Sequence, residues 1–285
     1  MPHPLVRFTA SDGQSIHLKR RGHGRPLVLL HGWTSSHADW AHVTTALAGE
    51  CESFAWDARA HAGHPLTGAP ATVARMADDL AELIAHFALV RPVLVGHSMG
   101  VLTIWEYLRR HGGAAIAGLC LIDQSPKLVT DAGWRHGIYG DFDAIRARWF
   151  AARQREDFAE AVLELAAGGH NRRMAERYAR EPEKFQRSRE HLRGLDAAAL
   201  TACWLTLAAG DWRAVLPTIA VPTLLVYGAE SNFYAAATAA WVQAQIPGAQ
   251  RLSYPGADHS PHFWHRDRFV TDLRGLLARV DGGAA

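Results

Sequence analysis

Cysteine is scarce in this chain of 285 residues: there are three, Cys51, Cys120 and Cys203, odd in number and far apart. That excludes a disulfide framework and the close ligand spacing of a zinc site, and it points to buried, reduced thiols in a cytoplasmic protein. Long hydrophobic runs are missing as well. No apolar stretch approaches the roughly 20 residues of a spanning helix, so no membrane is expected. Met1-Pro2-His3-Pro4-Leu5 lacks the charged-then-apolar layout of a secretion signal. Net charge is small: 30 Lys and Arg against 28 Asp and Glu leave +2, too little to indicate nucleic acid or an anionic surface as partner. There is no phosphate-binding glycine loop and no dinucleotide fingerprint, so no cofactor is expected. Seventeen histidines invite a metal reading, but no H-x-x-x-H or H-E-x-x-H pattern occurs, and His259 and His262 flank Pro261 in a loop; no metal is expected. What is present is an ordinary globular composition, 48% hydrophobic and 20% charged, with length for one large core or two small ones. The expected partner is a small-molecule substrate, and a homodimer stays open.

The periodicity predicts alternating strands and helices. Leu5–Ala10 and Ser15–Arg20 read as a hairpin about Ser11-Asp12-Gly13-Gln14. Pro26–Leu30 is a continuous apolar run, the mark of a strand covered on both faces. Ser36–Ala48 has helical character, Cys51–Trp56 is a strand, and Met76, Leu80, Leu83, Ile84 and Phe87 recur at helix spacing. Pro92–Val95, Ile116–Ile122, Val221–Tyr227 and Gln250–Tyr254 read as further strands, with helices over Val101–Arg110, Ala235–Gln245 and a closing stretch through Phe269 and Val280. Ala284 and Ala285 are expected to fray. From 127 to 215 no strand-like run appears, and arginine, alanine and aromatics abound, which predicts a helical insertion. The expected fold is α/β: a mostly parallel twisted sheet of about eight strands, helices on both faces, a core of 1–126 and 216–285, and a helical cap of 127–215.

Reactive groups in such sheets gather at the carboxyl ends of strands. His31-Gly32-Trp33, Ser98, Asp123, Gly228-Ala229-Glu230-Ser231 and His259 all lie just past strand ends. Gly96-His97-Ser98-Met99-Gly100 is G-x-S-x-G between a strand and a helix, the context in which a serine is forced into a strained turn and its hydroxyl is lifted clear. With these motifs the chain resembles the α/β-hydrolase superfamily over nearly its whole length. Asp57-Ala58-Arg59-Ala60-His61-Ala62-Gly63 is similar to that family's D-x-R-G-x-G loop, with alanine at 60 in place of glycine, and Gly256-Ala257-Asp258-His259 is similar to its histidine loop.

A serine hydroxyl needs a base within hydrogen-bond reach and a third group to orient that base. Ser98 is the candidate nucleophile and His259 the candidate base. The resemblance implies an oxyanion hole from the main-chain N–H groups of Trp33 and Met99. It places the acid after the seventh strand, where this chain has Ser231 and, one residue early, Glu230. Asp123, after the sixth strand, is the favoured acid, with Glu230 as the alternative. Asp57 and Arg59 are expected to form a structural ion pair. His31, His97, Trp134, Tyr139, Trp149 and Trp204 are the candidate pocket residues.

The expected activity is cofactor-free hydrolysis of an ester, thioester, lactone or related carbonyl through an acyl-enzyme. Trp33, Ser98, Asp123 and His259 also resemble the cofactor-independent dioxygenases that open N-heteroaromatic rings with a His–Asp dyad. Against that, Thr34-Ser35 supplies no second histidine, and Met99 stands where those enzymes would have one. A non-catalytic receptor on the same fold is the third reading.

Overall fold

The computed structural model describes residues 5–282; Ala284 and Ala285 lie outside them. Eight strands form one sheet: β1 (Leu5–Thr9), β2 (Ser15–Gly22), β3 (Arg25–Leu30), β4 (Cys51–Asp57), β5 (Val93–His97), β6 (Gly118–Ile122), β7 (Thr223–Gly228) and β8 (Gln250–Tyr254), in the order β1-β2-β4-β3-β5-β6-β7-β8. β1 and β2 pair antiparallel, β2 joins β4 antiparallel, and the other neighbours run parallel. The central strands β5, β6 and β7 are buried along their whole length. Their unbroken Val/Leu/Ile character follows from helices covering both faces.

Helices α1 (Ala41–Ala46), α2 (Val73–His86) and α3 (Met99–His111) precede β6, and α9 (Ala236–Gln245), α10 (Pro261–Trp264) and α11 (Arg266–Gly282) follow β7. Between β6 and β7 lie α4 (Ala144–Glu156), α5 (Phe158–Ala167), α6 (Arg172–Arg180), α7 (Gln186–Arg193) and α8 (Ala197–Ala209). Four of these five start at a side-chain cap: Asp143, Asp157, Asn171 and Asp196 each accept a main-chain N–H of the first turn. The helices begin later than the composition suggests. Residues 127–143 are loop, with a bridge between Asp131 and Trp134 and a 3-10 turn at Ile138–Gly140. Ser36–Ala48 likewise splits into a 3-10 turn, His37–Trp40, and the short α1.

The inserted helices pack against the core. Phe150, Leu165 and Trp204 belong to the same hydrophobic cluster as Met99, Leu102 and Trp105 of α3. A smaller cluster, Phe158, Leu163, Leu192 and Leu200, binds the inserted helices to one another and reaches Trp33. The three cysteines are buried and unpaired, and burial pushes the Cys51 thiol up to about 11. Among the described residues, no single helix is long and apolar enough to cross a membrane.

Candidate active site

Ser98 sits where β5 turns into α3, with φ 51° and ψ −113°. The turn around it is kept open by glycines two residues away on either side, Gly96 and Gly100. A Cβ on Gly100 would lie 2.2 Å from the Leu30 carbonyl oxygen, and one on Gly96 would lie 2.7 Å from the Gly100 main chain. The sheet and the helix can approach this closely only without side chains at 96 and 100. The Ser98 N–H donates to the Ile122 carbonyl at 3.1 Å, which pins the turn to β6. The side chain is half-buried and lines a cavity of about 310 Å³.

β5 and β6 are in register, His97 opposite Ile122, so Ser98 and Asp123 leave the sheet side by side. Asp123 is fully buried and also has positive φ, 46°. Its carboxylate accepts from the Gly228 N–H at 2.8 Å, the Ser231 hydroxyl at 2.8 Å and His259 Nδ1 at 3.1 Å. Burial pushes this carboxyl well above the usual carboxylate range, and the Gly228 and Ser231 hydrogen bonds oppose that. Burial lowers His259 to about 4, so its ring is neutral at neutral pH. With Nδ1–H committed to Asp123, Nε2 is left as the basic nitrogen, and it has no partner among the described residues.

The backbone around His259 is crowded. A Cβ on Gly228 would come within 1.9 Å of the Asp258 carbonyl oxygen. The His259 N–H donates to Asn232 Oδ1 at 3.3 Å, and His97 Nε2–H donates to the His259 carbonyl at 2.9 Å. The Glu230 carboxylate does not reach this site. It is part-exposed and pairs with Arg173 of α6. Between the two candidate acids, the structure brings Asp123 to His259. Ser231 stands at the position the family pattern gives to the acid, and it serves Asp123 as a hydrogen-bond donor.

Trp33 and Met99 both line the cavity, and their main-chain N–H groups have no protein acceptor among the described residues. Met99 is the first residue of α3, where the N–H lacks an intrahelical partner and the helix dipole favours negative charge. The Trp33 ring is held by Nε1–H donating to the Leu200 carbonyl at 3.1 Å and packs 5.0 Å from Trp204.

Of the six candidate pocket side chains, His97 and Trp204 line the cavity. His31 does not. Its Nε2 accepts the Ala58 N–H at 3.1 Å, which requires that Nδ1 carry the proton, and Nδ1–H donates to the Gly32 carbonyl at 2.7 Å. That fully buried ring joins two loops. Trp134 is also misplaced as a wall residue: it is buried against Trp241 and donates to the Lys127 carbonyl at 2.9 Å. Tyr139 gives its hydroxyl to the Leu165 carbonyl, and Trp149 lies on the surface of α4, 62% exposed. Both border a different, shallow groove. The wall that sequence reasoning missed comes from Gln124, Leu102, Phe233 and Tyr234, with Val162 and Leu165 of α5. Gln124 had a signal, since it directly follows Asp123 at a strand end.

The Asp57–Arg59 ion pair is replaced by two other arrangements. Arg59 reaches Asp79 of α2 at 2.5 Å and Asp12 at 2.8 Å. Asp57 accepts from the His37 N–H at 2.7 Å, His37 Nδ1 at 2.9 Å and His64 Nε2 at 3.0 Å. Ala60 and Ala62, in the same loop, hold φ of 64° and 56°, a conformation that costs an L-residue about 1 kcal/mol or more. No group of three or more His, Cys, Asp or Glu side chains suited to a metal is found among the described residues.

The model of the "Alpha/beta hydrolase family" matches residues 27–272. A pimeloyl-[acyl-carrier protein] methyl ester esterase of Chromobacterium violaceum is 31% identical over 263 residues, covering 91% of this chain and 96% of the relative. A non-heme haloperoxidase of Rhodococcus erythropolis is 29% identical over 282 residues, covering 94% and 98%. An esterase structure from Exiguobacterium antarcticum superposes with a TM-score of 0.81 at 22% identity, covering 97% of this chain and 99% of that one; at that identity the likeness concerns the fold.

Proposed function

The chain is an enzyme of the alpha/beta hydrolase family, and on that premise we propose that it is a cofactor-free serine hydrolase of carboxylic esters. The observation that carries this is the hydrogen bond from His259 Nδ1 to a buried Asp123, placed at the strand end beside a serine in a strained turn. Ser98 Oγ attacks the ester carbonyl as His259 Nε2 takes its proton. The negative charge that develops on the carbonyl oxygen is met by the N–H groups of Trp33 and Met99. His259 then gives the proton to the departing alkoxide, an acyl group remains on Ser98, and a water deprotonated by His259 attacks that acyl group; the acid leaves as His259 returns the proton to Ser98 Oγ. Asp123 keeps Nδ1 protonated and steadies the cation that forms at each transfer.

The cavity volume and its apolar wall, Trp33, Leu102, Trp204 and Phe233 among others, suit a medium-length or aromatic acyl group. The esterase named among the relatives supports the ester as substrate class. In this reading α4–α8 act as a cap that shapes the acyl site. The test is a screen of p-nitrophenyl esters of increasing chain length, with lactones, on wild type and Ser98→Ala. Turnover in the wild type that Ser98→Ala abolishes is the expected result. Oxygen uptake with a hydroxyquinolone that survives Ser98→Ala, with no ester turnover, would replace this reading with the ring-cleaving dioxygenase.

A further inference from the structure

Among the polar groups that line the cavity and have no task in the hydrolytic scheme, Gln124 is held by its own hydrogen bonds. Gln124 is buried, 3% exposed, and follows Asp123 at the end of β6. Its amide is fixed from two sides: Oε1 accepts the Ser125 N–H at 2.8 Å and the Tyr234 hydroxyl. A main-chain N–H can only donate, so the atom facing Ser125 is the oxygen and the amide NH2 is the end that remains. The main chain is fixed too, since the Tyr227 hydroxyl donates to the Gln124 carbonyl at 2.6 Å. Gln124 lines the cavity, and its NH2 has no acceptor among the described residues. The phenol that pins it does not readily ionise, because burial pushes Tyr234 well above the ordinary tyrosine range.

A donor held this rigidly in a mostly apolar wall loses its water when a substrate enters, and it is costly to leave unpaired. We propose that Gln124 Nε2 selects esters whose acyl group carries a neutral hydrogen-bond acceptor, a keto, ether or amide oxygen, a few bonds from the scissile carbonyl. The proposal rests on the ester-hydrolase reading and names its substrate class. Acylates bearing a second carboxylate are disfavoured, because Asp39 lines the same cavity. Plain alkyl acyl groups enter but leave the amide unpaired.

The experiment compares p-nitrophenyl heptanoate with its 4-oxo, 5-oxo and 6-oxo analogues, which differ only by exchange of one methylene for a carbonyl. The expected result is a kcat/KM about tenfold higher for one oxo isomer than for the heptanoate, and parity between the two within Gln124→Met, whatever that variant's absolute rate. Equal rates for all four esters in the wild type, or an equal loss on all four in Gln124→Met, would overturn the proposal. Gln124→Glu keeps an oxygen toward Ser125 and Tyr234, so it serves if Gln124→Met does not fold; its preference for the oxo ester falls as the new carboxyl ionises. Calorimetric titration of Ser98→Ala with the same four esters reads the preference without turnover. A retained affinity difference alongside an inactive wild type would sink the hydrolase reading and leave the Gln124 site standing; turnover without any preference would do the reverse.

Discussion

At the carboxyl ends of β5 and β6 the working atoms are placed by main chain. Ser98 is set by its own φ and by two glycines that admit no side chain, and Asp123 by a strand register and by the Gly228 amide. In α4–α8 the groups that face the cavity are apolar side chains. Trp204, Val162 and Leu165 reach it through side-chain packing of one helix on another. On the proposed reading, strand ends fix what reaction is possible, while the inserted helices shape what fits. Substitutions in the first region should remove the reaction, and substitutions in the second should redistribute its substrates.

The largest effect belongs to the strand ends. Ser98→Ala is expected to lower kcat on an active ester by about 10⁴-fold or more, and Asp123→Asn by about 10³- to 10⁴-fold, since the asparagine amide favours the wrong His259 tautomer. Glu230→Gln, which only releases Arg173 at the surface, should change kcat by less than about twofold. Steady-state kinetics on the three variants check this. A Glu230 effect larger than the Asp123 effect would break the comparison.

Two tryptophans sharpen it. Trp204→Ala, in the cavity wall, should lower kcat/KM for aromatic acyl groups by about tenfold and less for short ones. Trp134→Ala, buried against Trp241 outside the cavity, should cost about 3 kcal/mol of stability with kcat/KM unchanged for the fraction that stays folded. Chemical denaturation and a chain-length series separate the two.

Acidity affects both activity and stability through buried histidines. Burial holds His259 at about 4 and lowers His97 and His61 to about 3, against about 6.5 in an unfolded chain. On the proposed mechanism His259 works as a base only when neutral, so the acid limb of kcat/KM should fall near pH 4. Stability responds earlier. At these three histidines the unfolded chain binds more protons than the folded one between about pH 6.5 and 3, so their contribution to stability is full above that window and declines as pH falls through it. A Tm measured across that range should drop steadily on acidification; a Tm that rises would contradict the burial of these rings.

The smallest expected effect is a gain. Ala60→Gly relieves a left-handed φ of 64° and should stabilise by up to about 1 kcal/mol, offset in part by the entropy of glycine in the unfolded chain. Thermal melting checks it.

The same contrast explains what could be read from the residues alone. The eight strands and the positions of Ser98, Asp123 and His259 at strand ends follow from local patterns, an apolar run followed by a turn. The choice between Asp123 and Glu230 needed distance, because both lie just past a strand and only one side chain points inward. His31 misled because a histidine after a strand resembles a site residue, whereas its ring is consumed by Ala58 and Gly32. Trp134, Tyr139 and Trp149 misled for a different reason. An aromatic in a helical insertion has several neighbours to pack against, and spacing does not say which. Arg59 finds Asp79 twenty residues on, across a loop and one turn of α2, where nothing in D-x-R signals it.

The most direct test is covalent labelling. Folded wild-type protein treated with a fluorophosphonate should gain a single adduct by intact mass, mapped to Ser98, at a rate that falls by about 10³-fold in Asp123→Asn and is unchanged in Glu230→Gln. Folded wild type that takes no label, or an adduct that forms equally fast without Asp123, would contradict the assignment of Ser98, His259 and Asp123 as one catalytic unit.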